Sequence, residues 1–182
     1  MTSTLYMILA VTLLIWVTPF FLATRRRGEA ATLDRRARWG ILLQAVSYSL
    51  LWQNRFWDRP LDGWRIPLSM GFLIGASALS WTAARALGRQ WRVDAALNES
   101  HELVTSGPYG LVRHPIYLSM LCLVLGTGFM ITPWVVLIIA LAAFVIGTEI
   151  RIRIEERLLA AHFGDEFDRY QHSVSAYLPF IR

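Results

Sequence analysis

The sequence contains no lysine. All 18 basic residues are arginines, set against 13 acidic residues, for a formal net charge of +5. That absence excludes Schiff-base lysine chemistry and the lysine of a phosphate-binding P-loop. Cysteine is almost missing as well. A single residue, Cys122, rules out an intrachain disulfide framework and a thiol-rich metal site, and its place in an apolar run reads as core packing. The four histidines, His101, His114, His162 and His172, do not have the spacing of an HExxH zinc motif, so no metal is expected. His162 and His172 read as structural or surface positions. There is no glycine-rich phosphate cradle, no internal repeat and no low-complexity tract, and no nucleic-acid partner is expected. Residues 1–182 read as one domain.

What the chain does have is apolar length. Hydrophobic residues make up 55% of it, above the ~45–50% of a soluble domain, so a membrane protein is the first expectation. The run from Leu5 to Ala23 carries no charge and can cross a ~30 Å hydrocarbon core as a helix. Its positive charges, Arg25, Arg26, Arg27, Arg35, Arg36 and Arg38, follow the run, whereas a secretory signal carries them before it. The arginine bias puts that loop in the cytoplasm and the N-terminus outside, with the run as an uncleaved anchor. A second run, Trp39 to Trp52, includes Gln44, Ser47 and Ser49, which suit packing on protein. A third, Ile66 to Leu87, carries Gly71, Gly75 and Ala78, small residues that permit close helix contacts. Two more apolar segments, Ile116 to Ile131 and Trp134 to Gly147, are separated by a Thr132-Pro133 turn.

The expected fold is therefore an all-α, polytopic integral membrane protein with about five transmembrane helices, including a tight helical hairpin. Residues 1–87 supply three N-terminal membrane helices, and 88–182 form a catalytic half ending in a cytoplasmic helical cap. A bacterial-type inner (plasma) membrane is the expected location, with the N-terminus out and the C-terminus cytoplasmic. In this topology two polar blocks, Gly88–His114 and Thr148–Arg182, emerge on the same side and can meet over the hairpin.

Each block has a distinctive stretch. In "SGPYGLVRHPIY" the glycines and Pro108 form turns, and Pro115 suits the first turn of a helix, where its missing N–H costs nothing. Arg113 and His114 lie just before that helix, at an end whose dipole favours anions. A cationic pair gains nothing there unless a carboxylate or phosphate bridges both; the plainer alternative is an arginine snorkelling to lipid phosphates. In "TEIRIRIEERLLAAHFGDEFDRY", Glu149 and Arg153 have helical-neighbour spacing and form a salt-bridged face. Glu155 and Glu156 point about 100 degrees apart on a helix, so one can satisfy an arginine while the other faces a site. Phe163-Gly164 reads as a helix stop, and Asp165 and Glu166 as the favourable first turn of a further short helix.

Taken together, "HELVTSGPYGLVRHPIYLSM" and "EERLLAAHFGDEFDRYQHSVSAYLPF" resemble the isoprenylcysteine carboxyl methyltransferase family, within the larger membrane phospholipid and isoprenylcysteine methyltransferase group. The signature is the RHPxY element, Arg113 to Tyr117, followed by a hydrophobic hairpin and the Glu155-Glu156 pair. The resemblance covers Gly88 to Phe180 and is nearly silent before it. One departure is Leu118-Ser119, where relatives often have a glycine.

The resemblance implies methyl transfer from S-adenosylmethionine, with the cofactor enclosed by the C-terminal half. It implies cofactor contacts from His101, Leu103, Val104, Gly107, Tyr109, Arg113, His114, Tyr117, Glu155 and Glu156, and catalytic roles for Arg113, Arg151 and Glu156. Arg113 and His114 suit the cofactor carboxylate, and Glu155 or Glu156 its ammonium or ribose. The acceptor would be a prenylated cysteine or another lipid-linked carboxylate, held by Arg151 in preference to Arg153 and entering from the membrane lipid. A carboxylate is already ionised at neutral pH, so alignment and water exclusion matter more than a base. Two alternatives stand beside this one. One is N-methylation of a phospholipid headgroup amine, for which a glutamate would remove the proton; the other is an NADPH-dependent membrane reductase of the sterol type or a non-catalytic relative.

Overall fold

The computed structural model describes residues 2–24, 32–33, 36–52, 62–88, 96–97 and 102–177. Six α-helices account for most of them: α1 (Thr2–Thr24), α2 (Ala37–Leu51), α3 (Arg65–Leu87), α4 (Pro115–Ile131), α5 (Trp134–Phe163) and α6 (Asp165–Ser173). A 3-10 turn, Gly107–Gly110, precedes α4. Two two-residue strands, β1 (Thr32–Leu33) and β2 (Ala96–Leu97), pair antiparallel, with Thr32 opposite Leu97. This ribbon ties the connection after α1 to the connection after α3.

Local chemistry sets the element ends. Pro115 opens α4, and Thr132-Pro133 separates it from α5, because proline at the start of a helix lacks only an N–H that would be unpaired anyway. α5 is one continuous helix that carries the apolar run straight into the charged segment. It stops at Gly164, whose φ of +50° is open to glycine at little cost. α6 starts at once, with Asp165, Glu166 and Asp168 in its first turn, where the dipole favours them.

α1 packs on α3, α3 runs along α4, and α2 runs along α5. One buried cluster joins Leu9, Leu73, Ala76, Leu123 and Met130; another joins Leu51, Val124, Leu137, Ala140 and Phe144. Glycines allow two of the closest approaches. A Cβ on Gly126 would stand 2.8 Å from Leu73 Cγ, and Cβ atoms on Gly40 and Gly147 would meet the opposing helix's backbone oxygen at 2.5 and 2.7 Å. Gly71 and Gly75 make no such close contact within the chain among the described residues: neither has anything within 4 Å of a built Cβ. The buried face of α3 is Ser69, Leu73, Ala76, Ser80 and Ala83, and helical rotation turns those two glycines off it.

Gln44 and Ser47 are buried on α2, as their polarity in an apolar run suggested, whereas Ser49 is exposed. Ser119, the departure from the family pattern, lies where α1 docks. Its hydroxyl accepts from Trp16 Nε1 at 3.3 Å and donates to the Ile116 carbonyl at 2.7 Å.

Among the described residues three helices are long and apolar enough to cross a membrane, over Ser3–Leu22, Arg65–Leu87 and Trp134–Phe163, and α4 is a shorter apolar helix. That is fewer than the five expected. With 15 residues, α2 spans only about 22 Å, and it spends part of that length on buried polar side chains.

Candidate active site

The RHP corner and the twin glutamates are in contact. α4 begins, and the charged half of α5 passes, at the same end of the bundle, and residues 174–177 lie across both. The Arg113 amide donates to Ser175 O at 2.8 Å and the His114 amide to Ala176 O at 3.2 Å, around a parallel bridge between Val112 and Ser175. These backbone bonds fix where both side chains start.

The carboxylate that bridges Arg113 and His114 is the protein's own. Glu156 Oε1 accepts from Arg113 Nε at 2.9 Å and lies 3.0 Å from His114 Nε2. Its other oxygen accepts from Gln171 Nε2 at 3.1 Å. Arg113 Nη1 donates to the carbonyls of Gln171, at 2.9 Å, and Val174. Arg113 thus holds α6 and the terminal strap against the corner while pairing with α5. A charge-assisted network of this kind, with side chains 11% and 17% exposed, is largely shielded from water and geometrically specific.

Glu155 points elsewhere, as the 100-degree step requires. Its Oε1 accepts from the Tyr117 hydroxyl and from Arg151 Nη2, the latter at 3.4 Å. The Arg151 guanidinium carbon stands 5.3 Å from the Tyr117 ring centroid, within cation–π range. One turn further along α5, Arg151 Nη1 reaches Gln44 Oε1 at 3.5 Å, and Gln44 Nε2 donates to Thr148 Oγ1 at 2.8 Å. The polar groups therefore form a ladder running from the bundle end into its interior.

Arg153 does not join it. Its side chain is 67% exposed and pairs with Glu149 at 2.7 Å, whereas Arg151 is 10% exposed. Glu149 also accepts from the Tyr177 hydroxyl, which pins the strap to α5. Tyr109 is buried, and its carbonyl accepts from the Tyr170 hydroxyl at 2.7 Å. Burial pushes the Tyr170 phenol up to about 12 and the Tyr109 phenol well above its ordinary value, so both remain protonated donors near neutral pH. Leu103 and Val104 are half-buried upstream, and Gly107, with φ +62°, opens the 3-10 turn. His101 lies outside the described residues.

Gln171, Thr148 and Gln44 belong to this network and were not singled out as site residues from the sequence. A signal existed for Gln44, a polar amide set among apolar residues of α2. Gln171 offered none, because its partner is an α5 carboxylate reached only through the turn at Gly164. Among the described residues no group of three or more His, Cys, Asp or Glu side chains is placed to hold a metal ion.

Residues 64–166, which include the RHP corner and both glutamates, match the family model described as phospholipid methyltransferase. The chain belongs to that family. It is a methyltransferase, built on a membrane-type helical scaffold. Among its relatives is the cobalt-zinc-cadmium resistance protein CzcN of Cupriavidus metallidurans, 33% identical over 158 residues, covering 86% of this chain and 68% of the relative. The nickel-cobalt-cadmium resistance protein NccN of Alcaligenes xylosoxydans is 31% identical over 149 residues, covering 81% and 66%. A protein-S-isoprenylcysteine O-methyltransferase of Schizosaccharomyces pombe is 26% identical over 184 residues, covering 89% and 78%.

Proposed function

We propose that this chain is an integral membrane enzyme that transfers a methyl group from S-adenosylmethionine to a lipid-linked carboxylate, of the isoprenylcysteine kind, at the cytoplasmic end of the bundle. The reading is carried by the ladder in which Arg113, His114 and Glu156 form one rung and Tyr117, Glu155 and Arg151 the next.

The chemistry of these groups fits the amino-acid end of the cofactor. Arg113 spends Nε and Nη1 on the protein, and no described residue accepts from Nη2; no described residue donates to Glu155 Oε2. One is a donor suited to a carboxylate and the other an acceptor suited to an ammonium. Bound S-adenosylmethionine would supply a methyl group made electrophilic by its sulfonium. Glu156 then acts by holding Arg113 and His114 in place, and Glu155 by meeting the positive charge. Leu103, Val104, Gly107, Tyr109 and the more distant His101 are assigned to the nucleoside side. Arg151 holds the acceptor carboxylate, in a site whose chief demands are orientation and dryness. A carboxylate oxygen attacks with a lone pair it already carries, so no protein base takes part.

The membrane orientation belongs to the same proposal: α1 running outside to inside, the C-terminus cytoplasmic, and the acceptor's tail entering from the lipid. N-methylation of a headgroup amine is favoured by one observation, a glutamate with an unbonded oxygen beside the site, and the same experiment decides between the two. Purified protein in lipid nanodiscs is given methyl-labelled S-adenosylmethionine with either a prenylated cysteine or phosphatidylethanolamine. Labelled ester that is released by mild alkali supports the proposal. Label retained on the amine, or stabilisation by NADPH and not by S-adenosylhomocysteine, overturns it.

A further inference from the structure

We infer that Trp16 on α1 and Tyr48 on α2, two helices that precede the family-matched segment, are positioning residues that hold Tyr117 in register with Glu155. This rests on the reading of Tyr117 and Glu155 as part of the cofactor site. α4 and α5 are joined covalently at the Thr132-Pro133 turn, about 22 Å along α4 from Tyr117. At that reach a tilt of about 5 degrees moves the Tyr117 end by about 2 Å, and a displacement of about 1 Å is enough to spoil a reacting geometry. The Arg113–Glu156 pair ties down the corner before the helix. The bond from the Tyr117 hydroxyl to Glu155 crosses to α5, but a glutamate shared with a ligand's ammonium holds α4 less firmly. Contacts away from the site have to keep Tyr117 in place.

Two such contacts exist, one on each flank. Ser119 is fully buried, and its one hydroxyl proton goes to the Ile116 carbonyl at 2.7 Å. The Trp16 indole has only a donor to offer, and it reaches the Ser119 oxygen at 3.3 Å. The relay therefore has one direction, from α1 through Ser119 to the peptide unit that carries the Tyr117 nitrogen. Trp16 and Ile116 also pack in one cluster with Phe20 and Ala84. On the other flank the Tyr48 hydroxyl donates to the Met120 carbonyl at 3.0 Å, and its ring stands edge-on to Phe144 of α5 at 6.2 Å. Ser119 and Met120 are consecutive, about 100 degrees apart around α4, so the start of the helix is held from two directions. A third bond supplies the contrast. Trp81 Nε1 donates at 2.9 Å to the carbonyl of Ile15, which Pro19, having no N–H, leaves without its usual helical donor. That bond mends α1 and ties it to α3, not to α4.

The test is S-adenosylhomocysteine affinity, measured on the full chain in nanodiscs, a readout that does not depend on which acceptor is methylated. Tyr117→Phe should weaken binding by about tenfold, the scale of a hydrogen bond to a charged group. Trp16→Phe and Tyr48→Phe each remove one donor and keep a ring, and each should weaken it by about threefold. Ser119→Ala breaks the same relay as Trp16→Phe and should match it. Trp81→Phe also removes one indole hydrogen bond from α1, and should leave affinity as in the wild type. The deciding arm is the double variants. On a Tyr117→Phe background, Trp16→Phe and Tyr48→Phe should add nothing, because they act through the hydroxyl already removed; a purely architectural role predicts losses that add. Additive losses, or equal losses from Trp16→Phe and Trp81→Phe, overturn the inference and leave the site reading standing. If Tyr117→Phe binds as tightly as the wild type, the place of Tyr117 in the cofactor site falls, and this inference falls with it. If the wild type binds no S-adenosylhomocysteine, the proposed function and the inference both fall.

Discussion

Two buried arginines, Arg65 and Arg151, lie at opposite ends of the bundle. Counting along α5 from Trp134, beside Arg65, to Arg151 gives a separation of about 26 Å at 1.5 Å per residue, close to the thickness of a bilayer core. Each guanidinium sits over an aromatic ring, Arg65 at 5.1 Å from Trp134 and Arg151 at 5.3 Å from Tyr117. Among the described residues their hydrogen-bond partners differ in kind. Arg65 Nη2 donates to the carbonyls of Thr132 at 2.7 Å and Gly128 at 3.3 Å at the end of α4, where Gly128 O also accepts from the Thr132 amide at 2.9 Å. It is a helix cap supplied by a neighbouring helix, among the aromatic rings of Trp64, Phe129 and Trp134. Arg151 is met by side chains, Glu155, Gln44 and Tyr117, whose charges and rotamers can be shared with a ligand. A buried arginine is therefore no evidence of a site by itself; backbone partners mark architecture, and side-chain partners leave room for chemistry.

Replacing each with leucine should separate the two most widely. Arg151→Leu should lower kcat/KM for a lipid-linked carboxylate by about 10²-fold or more, the scale of losing a charged group that orients a reactant. Affinity for S-adenosylhomocysteine should persist. Arg65→Leu should do the reverse, leaving kcat/KM near wild type while stability drops by about 2 kcal/mol as the buried Thr132 carbonyl loses its donor. Methyl-transfer kinetics and unfolding midpoints on the same preparations check both. Equal losses of activity would dissolve the distinction.

A smaller effect on ligand handling is expected one rung above Arg151. Glu156→Ala removes the carboxylate shared by Arg113 and His114, leaving two donors in a shielded corner; breaking a buried pair in this way costs about 3 kcal/mol. The strap at 174–177, which Arg113 also holds, should loosen with it. S-adenosylhomocysteine affinity should fall by about tenfold or more, and amide hydrogen exchange at Arg113 and His114, whose amides donate to the strap, should speed up. Unaltered binding and exchange would show that the network is ornamental to the cofactor site.

The difference between the ends also explains which features were legible in the sequence. The RHP turn, the Thr132-Pro133 break, the stop at Gly164 and the divergence of Glu155 from Glu156 are local properties, encoded by turn residues and helical rotation within a few positions. The identity of the bridging carboxylate was open because Arg113 and Glu156 meet only after α4 and α5 fold back on each other. The strap and Gln171 were hidden for the same reason. Nothing in its own neighbourhood marks Arg65 as a cap, since capping the end of a distant helix leaves no local trace. Length and composition single out three spans where five were expected, because a run of apolar residues reports burial of any kind, and α2 buries its polar face on α5.

The glycines give the mildest test, and it concerns packing at the far end of this same distinction between contacts that fix the scaffold and positions that stay open. Gly126→Ala would place a methyl 2.8 Å from Leu73 Cγ and 3.1 Å from the Leu73 backbone nitrogen. The side chain can turn, but the backbone atom belongs to a packed helix and must shift, so a loss of about 1–3 kcal/mol is expected from overpacking. Gly75→Ala meets nothing within 4 Å and should be neutral or slightly stabilising, by up to about 1 kcal/mol of recovered helix propensity. Thermal unfolding of the two variants in one detergent decides it. If Gly75→Ala proves the more damaging, then that face of α3 is occupied in the assembled protein, and the open stripe is a contact with another molecule.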